Sequence, residues 1–229
     1  MMKLLIDDAN IDKIKKLYEY YPMDGVTTNP TILAKSGRQP YEVLTEIRNL
    51  IGADADLHVQ AVSRTADRMV AEGHKIAEVL GKNTYIKIPV VPEGLKAIRI
   101  LSGEGYRVTA TAIYTIQQAF LAGKAGADYA APYVNRIDNL GADGIQYTRQ
   151  IHDVFKKNGM KTELLAASFK NTQQVLELAE YGIGAATVGV DVIEGLIKNP
   201  TVFAAIEDFI GDFESLCGAG KDMTNCGEE

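Results

Sequence analysis

The feature that most limits the fold of this chain is an alternation that repeats along its whole length. Short β-rich apolar runs are each followed by a stretch at helical spacing. The runs are Lys3 to Asp7, Val26 to Thr28, Leu57 to Val62, Thr84 to Pro89, Tyr106 to Thr111, Tyr129 to Tyr133, Glu163 to Ser168 and Ala186 to Val190. Between them, helix signals recur. Asn10 precedes Ile11, Ile14, Leu17 and Tyr18 at helical spacing, Asn29-Pro30 reads as a cap with Pro at the first helical position, and Asn171 caps a stretch ending at Gly182. Alternation of this kind argues for a parallel sheet with helical crossovers.

Eight such units in 229 residues predict one compact α/β domain, a closed (β/α)8 TIM barrel, for which about 250 residues is typical. An open doubly wound sheet with fewer strands is the competing arrangement. Two helical stretches close the chain, the second starting at Asn199-Pro200. It carries Phe203, Ile206, Ile210 and Phe213 as an apolar stripe, one helix more than a barrel needs. Residues 1–217 are therefore read as the barrel with its extra C-terminal helix. The Gly-rich, polar residues 218–229 are read as a flexible tail.

Charge and composition remove several functions. Lys+Arg is 24 and Asp+Glu is 30, a net charge of −6, with no basic cluster for nucleic acid. No run of about 18 apolar residues is present to span a membrane. His58, His74 and His152 are scattered, and Cys217 and Cys226 both lie near the end. Zinc wants about four ligands in close pairs, so the pattern argues against a metal site, with magnesium on carboxylates left open. The low Cys count and lack of a signal peptide point to the cytoplasm, with both thiols reduced.

In a barrel of this type the active site lies at the C-terminal strand ends. The polar residues falling there are Asp7, then Thr27, Thr28 and Asn29, then Gln60, Lys87, Thr111, Asn135, Arg136, Asp138 and Ser168. Lys87 stands out inside Tyr-Ile-Lys-Ile-Pro-Val, because an ammonium buried in a strand is costly unless paired or deprotonated. A neutral amine there can attack a carbonyl and form a Schiff base. The bland reading is a structural Lys paired with a carboxylate. Arg136 could bind phosphate through its planar fork, or pair with Asp138. Ser168 could join it, or cap the next helix. The Gly pairs at 103–105 and 182–184 follow helices and precede strands, the reverse of a dinucleotide fingerprint.

Five segments then carry a family resemblance. They are Gly-Val-Thr-Thr-Asn-Pro at 25–30, Ile-Lys-Ile-Pro-Val at 86–90, Thr-Ala-Ile-Tyr at 111–114, Ala-Pro-Tyr-Val-Asn-Arg-Ile-Asp at 131–138 and Ala-Ala-Ser-Phe-Lys at 166–170. In that order they resemble the small transaldolase group, and within it the fructose-6-phosphate aldolase branch. The resemblance implies that Lys87 is the Schiff-base lysine and Asp7 the carboxylate that assists proton transfer. It implies that Thr27 and Asn29 position a dihydroxyacetone unit. Gln60, Thr111 and Tyr133 would hold a catalytic water, and Arg136 and Ser168 the substrate phosphate. Transaldolases proper usually carry Glu in place of Gln60 and Phe in place of Tyr133, so both positions resemble the aldolase branch. One departure is Asp8, where the family usually has Thr or Ser.

The expectation is a cofactor-free enzyme acting on a sugar phosphate, without nucleic-acid or membrane partners. The family analogy further implies a homo-oligomer, with a decamer the expected assembly. Transaldolase is the nearest alternative activity, and a non-catalytic sugar-phosphate-binding barrel the alternative from another class.

Overall fold

The computed structural model describes residues 1–227. The last two residues of the expected tail lie outside them. Eight parallel strands close edge to edge in chain order. They are β1 (Lys3–Asp7), β2 (Gly25–Thr27), β3 (Asp56–Gln60), β4 (Thr84–Pro89), β5 (Val108–Ile113), β6 (Tyr129–Pro132), β7 (Glu163–Ala166) and β8 (Ala185–Val188). The ring shuts where Lys3 to Ile6 of β1 pair with Ala185 to Val188 of β8. The expected (β/α)8 barrel is thus the observed fold, and the open sheet is not.

The crossovers begin with α1 (Ile11–Tyr20), α2 (Pro30–Lys35), α3 (Pro40–Ile51), α4 (Ala66–Leu80) and α5 (Pro92–Gly103). They continue with α6 (Ile116–Ala125), α7 (Val134–Asp138), α8 (Gly144–Lys157), α9 (Thr172–Tyr181) and α10 (Val190–Gly195). The local chemistry explains where they start. The side chains of Asn10, Asn29 and Asn171 accept from Lys13 N, Ile32 N and Gln174 N, satisfying helix-start donors that would otherwise lack partners. The interior follows the alternation of each strand. Leu5, Ala131, Leu165 and Ala185 form one buried cluster inside the ring. His58 stacks on Tyr85 at 4.4 Å, and Tyr85 meets Tyr129 edge-on at 5.2 Å. These rings fill the barrel on the N-terminal side of Lys87.

Two features depart from the sequence expectation. The short helix α7 begins directly after β6, where no separate helix is predicted. Strand β5 runs on to Ile113 through a register shift between Ala110 and Ile113, with Ala112 at φ +57°. A bulge of this kind re-aims side chains at a barrel rim, and Thr111 sits inside it.

The chain divides into Met1–Ile193 and a second unit beginning at Glu194. The second unit is built on α11 (Pro200–Cys217), which exposes Phe203, Ile206, Phe209 and Ile210. Glycine at Gly218, φ +106°, turns the chain back after the helix. Cys217 and Cys226 are joined in a disulfide, with Cα atoms 5.5 Å apart. The expectation of two reduced thiols is corrected by this turn, which brings the pair within bridging range.

The β4–α5 connection has no slack. A Cβ on Gly94 would overlap the Pro89 carbonyl oxygen. Gly94→Ala is expected to cost about 1–3 kcal/mol by forcing α5 off the end of β4, measured as a lower urea midpoint.

Candidate active site

A cavity at the C-terminal ends of the strands is lined by Asp7, Asn29, Lys87, Thr111, Tyr133, Arg136 and Ser168, with Ala131, Leu165, Ala167 and Thr187 as further wall. Seven of the nine residues singled out from sequence therefore meet at one place. Thr27 and Gln60 are not in the cavity wall. Thr27 is completely buried beside it. Gln60 pairs in register with Lys87 across β3 and β4, yet faces a neighbouring apolar pocket with Pro30, Leu33, Tyr41 and Ile76.

Lys87 is 5% exposed, and its Nζ donates to the Thr28 carbonyl at 2.7 Å. A carbonyl satisfies one N–H without neutralising charge. Burial pulls the Lys87 pKa down; Asp7 opposes the shift and Arg136 adds to it. The hydrogen-bond acceptor of Lys87 is thus a backbone carbonyl rather than a carboxylate. Asp7 shifts the opposite way. Burial raises its pKa most, against the pull of Lys87 and of the Thr27 hydroxyl, while Asp8 pushes it further up. Both shifts favour the uncharged forms. Asp8 itself faces the turn, where Oδ1 accepts from Ala9 N and Asn10 N at 2.7 and 2.9 Å.

The other side chains have divided duties. Asn29 spends its carbonyl oxygen on Ile32 N, leaving its amide NH2 as the donor toward the cavity. Thr111 Oγ1 and the Tyr133 hydroxyl lie 3.0 Å apart. Arg136 rests over the Tyr133 ring at 4.5 Å and donates to the Tyr114 hydroxyl at 3.4 Å. Asp138 is not its partner, because its two oxygens accept from Gly144 N and Gln174 Nε2 at 2.7 and 2.8 Å. Nor does Ser168 cap a helix; Asn171 does. Ser168 has φ +62°, a conformation costing a non-glycine residue about 1–2 kcal/mol and found often at functional sites. Asn135 is tied by its backbone to the Ser168 carbonyl.

Sequence reasoning missed Tyr114 and Thr187. For Thr187 a signal existed, a polar residue within Ala185–Val188, but the eighth strand yielded no candidate. Among the described residues no group of three His, Cys, Asp or Glu side chains is arranged to hold a metal ion. None of the described helices is long and apolar enough to cross a membrane.

The family described as Transaldolase/Fructose-6-phosphate aldolase matches residues 4–228. The chain belongs to that family. A relative in Streptococcus pneumoniae named "Probable fructose-6-phosphate aldolase" is 42% identical over 93% of this chain and 96% of its own length. A relative in Clostridium botulinum named "Probable transaldolase" is 40% identical over 96% of this chain and 100% of its own. One in Hydrogenobaculum sp., also "Probable transaldolase", is 40% identical over 94% and 98%. Among solved structures, a designed cube-shaped protein cage made by fusing symmetric oligomeric domains superposes with TM-score 0.61 at 15% identity. It covers 94% of this chain and 78% of that one, which speaks to the fold alone. The transaldolase/fructose-6-phosphate aldolase family is enzymatic, and the names of the relatives divide between its two activities.

Beneath the site His58 is fully buried. Its Nδ1 meets Thr109 Oγ1 at 2.8 Å, while its Nε2 has no protein partner. Burial first, and Lys87 second, hold its pKa well below 6.5, so it is neutral when folded. Below about pH 6.5 the unfolded chain binds the proton and the folded one does not, so stability present above that pH is lost as pH falls. The urea stability is expected to drop by up to about 1.4 kcal/mol per pH unit between pH 6.5 and the folded pKa. In His58→Gln that part of the slope should vanish.

Proposed function

We propose that this family member is a Schiff-base aldolase, cleaving fructose 6-phosphate into dihydroxyacetone and glyceraldehyde 3-phosphate and forming it in reverse. The observation that carries this reading is the Tyr133 hydroxyl, bonded to Thr111 in the cavity that holds Lys87.

Neutral Lys87 attacks the ketone carbon, water leaves, and a protonated imine forms. The imine nitrogen draws the electron pair of the adjacent carbon–carbon bond as that bond breaks. Asp7, a carboxyl whose burial favours the protonated form, gives its proton to the water that leaves as the imine forms, and as a carboxylate it then takes the proton of the hydroxyl that becomes the aldehyde. Arg136 and Ser168 hold the phosphate of the departing glyceraldehyde 3-phosphate, and the Asn29 amide donates to the three-carbon unit left on Lys87. That unit is now an enamine. A water held by Thr111 and Tyr133 protonates the enamine carbon; Gln60, which the resemblance would add to this pair, faces the neighbouring pocket instead. Hydrolysis then frees dihydroxyacetone. A phenolic hydroxyl can both donate to and accept from such a water, a function that phenylalanine would lack. The chemistry is that of the chain's own residues, with no cofactor.

The second reading is transaldolase, favoured by the names of the relatives in Clostridium botulinum and Hydrogenobaculum sp.. In that reading the enamine waits for an aldehyde acceptor. A non-catalytic sugar-phosphate-binding barrel is the third. The family resemblance also leads us to expect a cytoplasmic homo-oligomer, a decamer, with the exposed apolar face of α11 at a subunit contact; light scattering reads the mass directly.

Fructose 6-phosphate is expected to be cleaved without any acceptor, and strict dependence on erythrose 4-phosphate would make the protein a transaldolase. Borohydride reduction with dihydroxyacetone should leave a mass adduct on Lys87, and absence of the adduct would rule out the Schiff base. Tyr133→Phe should keep the adduct but lower acceptor-free turnover by about a hundredfold or more.

A further inference from the structure

Thr27 has a hydroxyl with one proton and two close neighbours. Its Oγ1 lies 2.8 Å from Asp7 Oδ1 and 2.6 Å from Thr187 Oγ1. The two threonines flank β1, Thr27 on β2 and Thr187 on β8, and their hydroxyls meet on the inner side of the barrel. They are 0% and 3% exposed, which leaves little room for water to compete. Of the pair, Thr187 reaches the cavity.

We propose that Thr187 is a positioning residue for Asp7, acting through Thr27 in a chain of two hydroxyls that links the carboxyl to the cavity wall. The proposal rests on the Schiff-base reading above, in which Asp7 handles a proton.

The proton count dictates how the chain works. When Asp7 is ionised, it accepts the Thr27 proton. Thr27 then accepts the Thr187 proton, and Thr187 presents only lone pairs to the cavity. When Asp7 is protonated, the direction can reverse. Asp7 donates to Thr27, Thr27 donates to Thr187, and the Thr187 proton turns toward the cavity. The wall is thus an acceptor beside a charged Asp7 and a donor beside a neutral one. A substrate hydroxyl touching Thr187 meets a partner matched to the protonation state of the carboxyl. This also changes the role of Thr27, whose hydroxyl is taken up by Asp7 and Thr187 rather than by the dihydroxyacetone unit.

The chain also affects the proton balance. Donation from Thr187 polarises the Thr27 hydroxyl and strengthens its bond to the carboxylate, and hydrogen bonds to a charged acceptor gain more than neutral ones. The other charged groups acting on Asp7 are Lys87, Asp8 and Arg136, with Lys13 4.0 Å from Asp8. None of them contacts Thr187 by hydrogen bond or ion pair among the described residues.

The test is the pH profile of acceptor-free fructose 6-phosphate cleavage. Thr187→Val keeps the shape and removes the hydroxyl. It should move the acidic limb of kcat up by roughly half to one pH unit and lower kcat at neutral pH about tenfold, with KM within about twofold. Thr187→Ser, which restores the hydroxyl, should restore the profile. Should the Val variant not fold, Thr187→Cys, a near-isostere with a weak donor, takes its place with the same expectation. An unshifted profile in the Val or Cys variant overturns the proposal. So does a Ser variant altered as much as Val, since packing would then be the cause. Borohydride trapping of dihydroxyacetone on wild-type Lys87 separates the two levels. No adduct in the wild type sinks the Schiff-base reading and this proposal with it; an adduct with an unshifted variant sinks the proposal alone.

Discussion

An amine enclosed by a closed ring of strands cannot keep both its charge and its isolation. Lys87 sits inside β4 with its Nζ against a backbone carbonyl, and most of the surrounding architecture bears on that placement. The barrel removes water from around the amine. The carboxyl of Asp7, from three strands away, is near enough to oppose the loss of the proton but is itself desolvated. Charge is costly for both groups at once. The low-energy description of the pair is one in which a proton is easily moved, a condition that carbonyl chemistry requires.

The polar groups around this pair are held from outside the cavity rather than by one another alone. Asn29 is oriented by capping α2. Thr111 is turned by the bulge at Ala110 to Ile113. Ser168 is held in a left-handed conformation with its carbonyl engaged by Asn135 N. Each of these devices belongs to the junction between a strand and the helix after it. A barrel repeats that junction eight times, so small local distortions sum to one shaped cavity.

Much of this was legible in the residues. The alternation of runs implied the barrel, and a Lys inside an apolar strand singled out Lys87, now found buried in the cavity wall. Asn10, Asn29 and Asn171 announced helix starts because capping is a local interaction. What was not legible depended on closure or on backbone conformation. Thr27 and Thr187 are separated by 160 positions and meet only because β1 pairs with both β2 and β8. Ala112 and Ser168 adopt positive φ without the glycine that would have signalled it. Gln60 was read as part of the site, yet its side chain faces an adjoining apolar pocket. The cysteines were read from compartment, a property of surroundings, whereas the turn at Gly218 set their distance.

Tyr133 does more than present a single hydroxyl. Its ring carries Arg136, its edge meets Tyr114 at 5.5 Å, and its phenolic oxygen touches Thr111. One rigid side chain therefore joins the cationic mouth of the cavity to its polar interior. The Arg136 guanidinium is held on the ring by a broad attraction and by one long hydrogen bond to Tyr114. The mouth and the interior thus share one support, set directly after β6.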